Sequence, residues 1–476
     1  MRKLLPLLLL LLLQVPPSAH SKLILPPTAL VFTHVTVIDA TGAPAKADMT
    51  VVINGDRVTE LGRTRDVRIP KDAQTVDATG KFLIPGLWDM HVHWYLKDYL
   101  PLFIANGVTG VRMMWGASLH HQWRKEIDGG AMLGPRLVIA SSIVDGPNPI
   151  WQGSVSVGNA AEARKAVVDA KNGGADFIKV YSRLPKEAFL AIADESKKQG
   201  LTFAGHVPQA VTVEEASDAG QKSIEHLTGI LTACSSREDE IRRMDAERSQ
   251  TQAGKLPDPA TIRAQTRMVL DSFDAKKSAV LFARLKRNQT WQCPTLTVLR
   301  SIASLDDQSF RSDPRLKYMP SSVRIPWDPT KDFRFKDRAA EDFELSRLAF
   351  KKQVEIVGLM RRAGVEFIAG TDVLNPFCFP GFSLHDELAL LVSAGLTPME
   401  ALQAATFNAA RFLGKEKDLG TVEKGRLADL VLLEANPLED INNTKKINAV
   451  VFGGKLIPRS EVQKMLDTVE AAAGKK

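Results

Sequence analysis

The 476 residues are 44% hydrophobic and 25% charged, with a formal net charge of +7. That composition excludes a disordered or fibrous chain and leaves room for a large barrel plus an accessory domain. Basic and acidic residues are interspersed, as in Arg237-Glu238-Asp239-Glu240-Ile241-Arg242, so no nucleic-acid partner is expected. Three cysteines, Cys234, Cys293 and Cys378, exclude a disulfide framework and read as small buried residues, with one internal pair left open.

At the N-terminus, Arg2 and Lys3 precede an apolar run from Leu4 to Leu13. Pro16 and Pro17 break it, and Ala19-His20-Ser21 follows. This is a signal-peptide pattern over residues 1–21. The expectation is an exported chain, periplasmic or secreted, starting near Lys22 with a formal charge of +5. The run is short for a bilayer, so no stable membrane anchor is expected; a retained anchor is the alternative.

Short strands come next. Val31 to Asp39 is rich in β-branched residues, and Met49 to Ile53 runs into an Asn54-Gly55-Asp56 turn. From Leu83 to about Gly414 strands alternate with helical stretches such as Ala160–Lys171 and Lys186–Lys198, the pattern of βα units. Eight strands are expected: Leu87–His93, Gly107–Met113, Arg136–Ser141, Ala175–Tyr181, Leu201–His206, Lys222–His226, Gln289–Leu296 and Val365–Asp372. The spacing predicts an α/β fold, a distorted TIM (β/α)8 barrel over residues 85–414 with inserts at about 235–287 and 298–360. Both inserts leave strand C-terminal ends and are taken as lid or recognition elements, with plain surface decoration as the alternative. Thr397, Pro398 and Glu400 start a last helix that Gly414 stops. Strands return at Ala428–Leu433 and Ala449–Phe452. Residues 22–84 and 415–476 are each too small for a core of their own, so they are expected to combine in a small β-sandwich.

The chemistry sits at strand ends. His91 and His93 alternate along one strand, so both imidazoles face one side and can hold one metal. Lys179, His206, His226 and Asp372 each end or nearly end another strand, and in a barrel those ends converge on one mouth. Asp89 shares the face of the two histidines and is expected to brace them from behind. Tyr181 lies two residues beyond Lys179, placed to donate to an oxyanion, and Arg183 to meet a substrate carboxylate. His120 and His121 read as exposed.

These motifs carry a resemblance. Pro85-Gly86-Leu87-Trp88-Asp89-Met90-His91-Val92-His93, Ile178-Lys179-Val180, Gly205-His206, Glu225-His226-Leu227, Gly370-Thr371-Asp372, Gly395 to Leu402 and Gly425 to Val431 together resemble the amidohydrolase superfamily. The branch is the imidazolonepropionase-like and Xaa-Pro dipeptidase-like one. The resemblance implies two divalent metal ions, zinc first, with manganese, cobalt or iron as alternatives. His91, His93 and Asp372 would bind one metal and His206 and His226 the second. A carbon dioxide-derived carbamate on Lys179 would bridge them, and Asp372 would orient water and shuttle its proton. A mononuclear site without Lys179 is the alternative. The implied function is hydrolysis of a small-molecule amide or peptide bond. Cyclic amides, lactones and other esters stay open, as do a non-catalytic binding protein and a homo-oligomer. The chain departs from prolidase-like relatives after Lys179 and in the loop Asp145–Gly153, which lacks histidine, so dipeptide specificity is not implied.

Overall fold

The computed structural model describes residues 28–251 and 258–475. The expected signal peptide, 1–21, and residues 252–257 of the first insert lie outside them. Seven parallel strands form the barrel wall, each hydrogen-bonded to the next. They are β1 (Leu87–Val92), β2 (Val108–Met113), β3 (Arg136–Asp145), β4 (Phe177–Val180), β5 (Thr202–Gly205), β6 (Ser223–Glu225) and β7 (Trp291–Cys293).

The eighth expected strand is not a regular one, yet it closes the wall. The Ile368 amide donates to the Gln292 carbonyl at 3.0 Å, and the Met90 amide to the Ala369 carbonyl at 2.8 Å. Single bridges at Phe367 and Val373 join it to β7 and β1. The regular ladder is lost where the segment crowds the site. A Cβ on Gly370 would lie 2.6 Å from Cys293 Sγ, and Asp372 takes a φ of +59°. The result is a distorted TIM barrel. Its interior is filled by Trp88, Val138, Phe177, Ala204, Trp291 and Ile368, while a larger core joins the wall to the surrounding helices.

The two chain ends share one eight-stranded, mainly antiparallel sheet. Phe82–Pro85 lies between Leu30–Val37 from one end and Leu430–Leu433 from the other, and so ties them together. Phe32, Val35, Val51, Leu83, Leu430 and Val451 form its core, which neither end supplies alone. The sequence reading missed the C-terminal helix Arg459–Ala473. Val462, Leu466, Val469 and Ala473 give it an apolar stripe, and it packs on Pro101–Ala105.

Two expectations are corrected. The helix from Pro398 to Gly414 is two, Pro398–Ala404 and Phe407–Leu413. It breaks because the Ala404 and Ala405 carbonyls accept from the Ala369 and Trp88 amides, at 3.0 and 2.7 Å, and so serve the barrel wall. His120 is buried, not exposed; its Nε2 lies 2.9 Å from the Trp94 carbonyl oxygen, and its ring packs on Trp123 and Tyr95. The three cysteines are buried and free. No helix among the described residues is long and apolar enough to cross a membrane.

Arg136 at the start of β3 clamps the sheet to the barrel: Asp429 accepts from its Nε at 2.6 Å and from the Gly453 amide at 2.8 Å. Asp429→Ala leaves a half-buried guanidinium and an amide without their acceptor, a loss of about 1–3 kcal/mol. A calorimetric scan should show an earlier thermal transition than in the wild type. An unmoved transition would contradict the clamp.

Candidate metal centre

Three donor atoms meet at the barrel mouth. His91 Nε2 lies 3.2 Å from His93 Nε2 and 3.3 Å from Asp372 Oδ1, and His93 Nε2 lies 3.2 Å from the same oxygen. Tetrahedral ligands about 2.0–2.1 Å from a zinc ion stand about 3.3 Å apart, so the triangle has the size one ion requires. Asp372 Oδ1 is buried and makes no hydrogen bond despite both neighbours, as expected of a lone pair aimed at a common point. The residues present fit a metal.

The remaining candidates surround this triangle. The His226 ring lies 4.5 Å from that of His91 and 5.0 Å from that of His206. Lys179 is fully buried, with Nζ 3.5 Å from His91 Nε2 and no carboxylate within 4.0 Å among the described residues. Burial pushes the Lys179 ammonium down to about 8. A neutral amine is therefore within reach near neutral pH, and that is the form that adds carbon dioxide. Burial also drives His91 and His206 well below the ordinary histidine value and His226 down to about 4, so these rings are neutral and free to ligate. Burial would raise Asp372, but His226, His93 and Lys179 hold its carboxyl below the usual range.

Partners behind the imidazoles decide which nitrogen faces inward. Glu225 Oε2 takes His91 Nδ1 at 2.7 Å, and Ser182 Oγ lies 2.8 Å from His206 Nδ1. Thr295 spends its hydroxyl hydrogen on the Pro294 carbonyl and accepts from His226 Nδ1 at 2.7 Å. His91 and His226 are thereby left with the lone pair on Nε2, and Ser182 does the same for His206 when it accepts from Nδ1. Three of these residues carry strained backbone, with φ of +58° at His226, +48° at Thr295 and +59° at Asp372. The left-handed turn at His226 lets it reach the site although Glu225, its neighbour in sequence, also points into the barrel.

Glu225 is itself held by Arg112, whose guanidinium donates to it at 2.8 Å and to the Met90 carbonyl at 2.6 Å. His91, Glu225 and Cys293 also cluster, but that group is no metal site. Glu225 is already neutralised by Arg112, and burial pushes the Cys293 thiol well above its ordinary value, so it keeps its hydrogen.

Asp89 braces backbone and no imidazole. It accepts from the His91 and Thr371 amides at 3.2 and 3.0 Å and from the Thr371 hydroxyl at 2.6 Å, tying the strand of His91 to the segment of Asp372. Tyr181 stacks on His206 with ring centres 4.0 Å apart, and its hydroxyl accepts from Trp151 Nε1 at 2.8 Å. Burial pushes that phenol up to about 12, so it keeps a hydrogen to donate. Arg183 donates to the Asn148 carbonyl, on the loop that presents Trp151. The second insert arrives from above. Phe333 meets Trp151 edge to face at 5.6 Å, and Arg334 donates to Asn375 Oδ1 at 2.9 Å. The Asn375 amide in turn holds Asp372 Oδ2 at 2.8 Å.

Sequence reasoning missed Glu225 as a partner, Ser182, Thr295, Arg112, Asn375 and Trp151. Of these Glu225 and Arg112 had a signal, each a charged residue inside a fully buried strand.

The amidohydrolase family model matches residues 82–457. Ochratoxinase of Aspergillus niger is 24% identical over 442 residues, covering 79% of this chain and 75% of that protein. The solved structure of a bottromycin amidohydrolase superposes with a TM-score of 0.76 at 24% identity, covering 94% of this chain and 91% of that one. A Xaa-Pro dipeptidase with bound methionine gives 0.65 at 19% identity, covering 90% and 100%.

Ser182→Ala removes the group behind His206 and nothing in the core. Zinc titration should show one class of site weakened about 10- to 100-fold, with an unchanged melting transition in the metal-free protein. Unaltered affinity at every site would show that Ser182 does not orient the ligand.

Proposed function

The chain belongs to the amidohydrolase family, and from that premise we propose that it hydrolyses a carbon–nitrogen bond in a small amide or peptide-type substrate at a binuclear metal centre. His91, His93 and Asp372 would hold one ion, His206 and His226 the other, with a carbamate on Lys179 between them. The observation that carries this reading is the triangle of donor atoms at 3.2–3.3 Å around an Asp372 oxygen with no hydrogen bond. Imidazole and carboxylate donors suit zinc, with manganese, cobalt or iron as alternatives.

When bound, divalent metals supply acidified water and polarise the scissile carbonyl. The chain's own residues do the rest. Asp372 is steadied by Asn375 through its outer oxygen, so it accepts the proton of the attacking water and delivers it to the leaving nitrogen. Tyr181 donates its hydroxyl hydrogen to the oxygen that gains charge. Arg183, at the rim, receives a substrate carboxylate. Trp151 and the second insert's Phe333 pack edge to face beside the Tyr181 hydroxyl and flank the mouth on that side. Two structural neighbours are by name an amidohydrolase and a Xaa-Pro dipeptidase, which supports an amide over a lactone or ester. Residues 1–21 support export and work in the periplasm or outside the cell.

Zinc-loaded mature protein should turn over dipeptides or N-acyl amino acids faster than matched esters and lactones. Asp372→Asn should lose at least about 100-fold in kcat while keeping its thermal transition. Preference for the lactones would overturn the amide assignment, and a variant with more than about a tenth of wild-type kcat would place the proton shuttle elsewhere.

A further inference from the structure

At the opposite end of the barrel from the metal centre, against the starts of β1, β3, β4 and β5, lies a cavity of about 670 Å³. Small-ligand sites span roughly 300–1,000 Å³. Trp88, Val138, Phe177 and Phe412, the edge of the packed barrel interior, form its apolar floor, each with less than a tenth of its surface exposed. Six cations also line it: Arg112, Arg124, Arg136, Lys171, Lys222 and Lys415.

The three arginines are spent, on Glu225, Asp176 and Asp429 at 2.8, 2.6 and 2.6 Å. Of the lining acids, Asp176 is therefore used and Asp418 pairs with Arg57 at 2.9 Å. Among the described residues, Lys171, Lys222 and Lys415 have no carboxylate within 4.0 Å, and Asp128 is the one lining acid without an ion pair. Lys171 and Lys415 stand exposed at the rim, and Lys222 is half-buried. Lys222 Nζ and the Arg112 guanidinium lie 4.7 and 4.8 Å from the centre of the same ring, Phe412. Burial and Arg112 both disfavour the Lys222 ammonium, with Glu416 opposing from beyond ion-pair distance. This face of a TIM barrel ordinarily serves stability, which favours paired charge. Crowded like charges over an apolar floor instead suit an anion with a flat apolar body.

We propose that this cavity binds a small aromatic carboxylate, its ring on the apolar floor and its charge at Lys222 and the rim lysines, and that occupancy is felt at the metal centre through Arg112 and Glu225. An anion at Lys222 acts on the buried Arg112 guanidinium across the Phe412 ring they share, and Glu225 then draws harder on the His91 Nδ1 hydrogen. The binding does not depend on the hydrolytic reading; the coupling does.

Calorimetric titration of the zinc-loaded protein with 2-naphthoate should give saturable one-site binding with Kd below about 1 mM, and 2-naphthylmethanol should give none. Lys222→Gln should weaken naphthoate at least about tenfold. So should the exposed pair Lys171→Gln/Lys415→Gln, which covers the case that Lys222→Gln disturbs the fold. Saturating naphthoate should change the rate of zinc release to a chelator at least about twofold in wild type and not in Lys222→Gln. Absence of saturable binding, equal affinity in all variants, or displacement by an amide substrate would overturn the site. Binding with unaltered zinc release would keep the site and overturn the coupling.

Discussion

The centre of this barrel depends on one buried pairing, the Arg112 guanidinium with the Glu225 carboxylate. Neither side chain has any exposure to solvent. Removing two ions from water costs several kcal/mol each unless each finds its counter-charge and hydrogen bonds. Arg112 meets that demand with Glu225, Ser223 and the Met90 carbonyl. Glu225 then has one oxygen left, and it takes His91 Nδ1. That single contact turns His91 Nε2 toward His93 and Asp372. The direction of the His91 ring is thus a consequence of how the barrel solves an electrostatic problem in its interior.

The same logic extends outward from the triangle. Each second imidazole has a hydroxyl behind it, and Asp372 is held from two sides. Asp89 fixes its segment against β1, and Asn375 fixes its outer oxygen. Asn375 is itself gripped by Arg334 of the second insert. The insert therefore reaches the Asp372 carboxylate through one intermediate residue. A loop with no histidine supplies Trp151 instead, which positions the Tyr181 hydroxyl and receives Phe333. The surroundings of Asp372 and Tyr181 are built from parts that lie far apart in sequence.

Much of this was legible because barrel geometry converts a one-dimensional mark into a position. An ionisable residue ending an apolar run must lie at the mouth, and His91, His93, Lys179, His206, His226 and Asp372 are all found there. Pairing of the two chain ends could be read from their size, since neither buries a core alone. The missed features obey other physics. Ser182, Thr295 and Asn375 have ordinary local sequences, and their placing depends on contacts across 24, 69 and 41 residues, with His206, His226 and Arg334. The left-handed turn at His226 overrides strand alternation, so face assignment by period 2 fails there. The break at Ala405 and Thr406 follows from two carbonyls that the barrel wall needs, which no helix propensity records. His120 looked exposed beside His121 and a polar helix, yet the Trp94 carbonyl draws it inward.

The central claim is that Lys179 completes a two-metal centre with a carboxylated side chain. The metal-to-protein ratio of Lys179→Ala, measured by mass spectrometry after zinc loading with and without added propionate, tests it most directly. The account predicts about two metals per chain in wild type, a clear deficit in the variant, and partial recovery with propionate, whose carboxylate can replace the lost bridge. A Lys179→Ala protein as metal-replete as wild type, and indifferent to propionate, would contradict it.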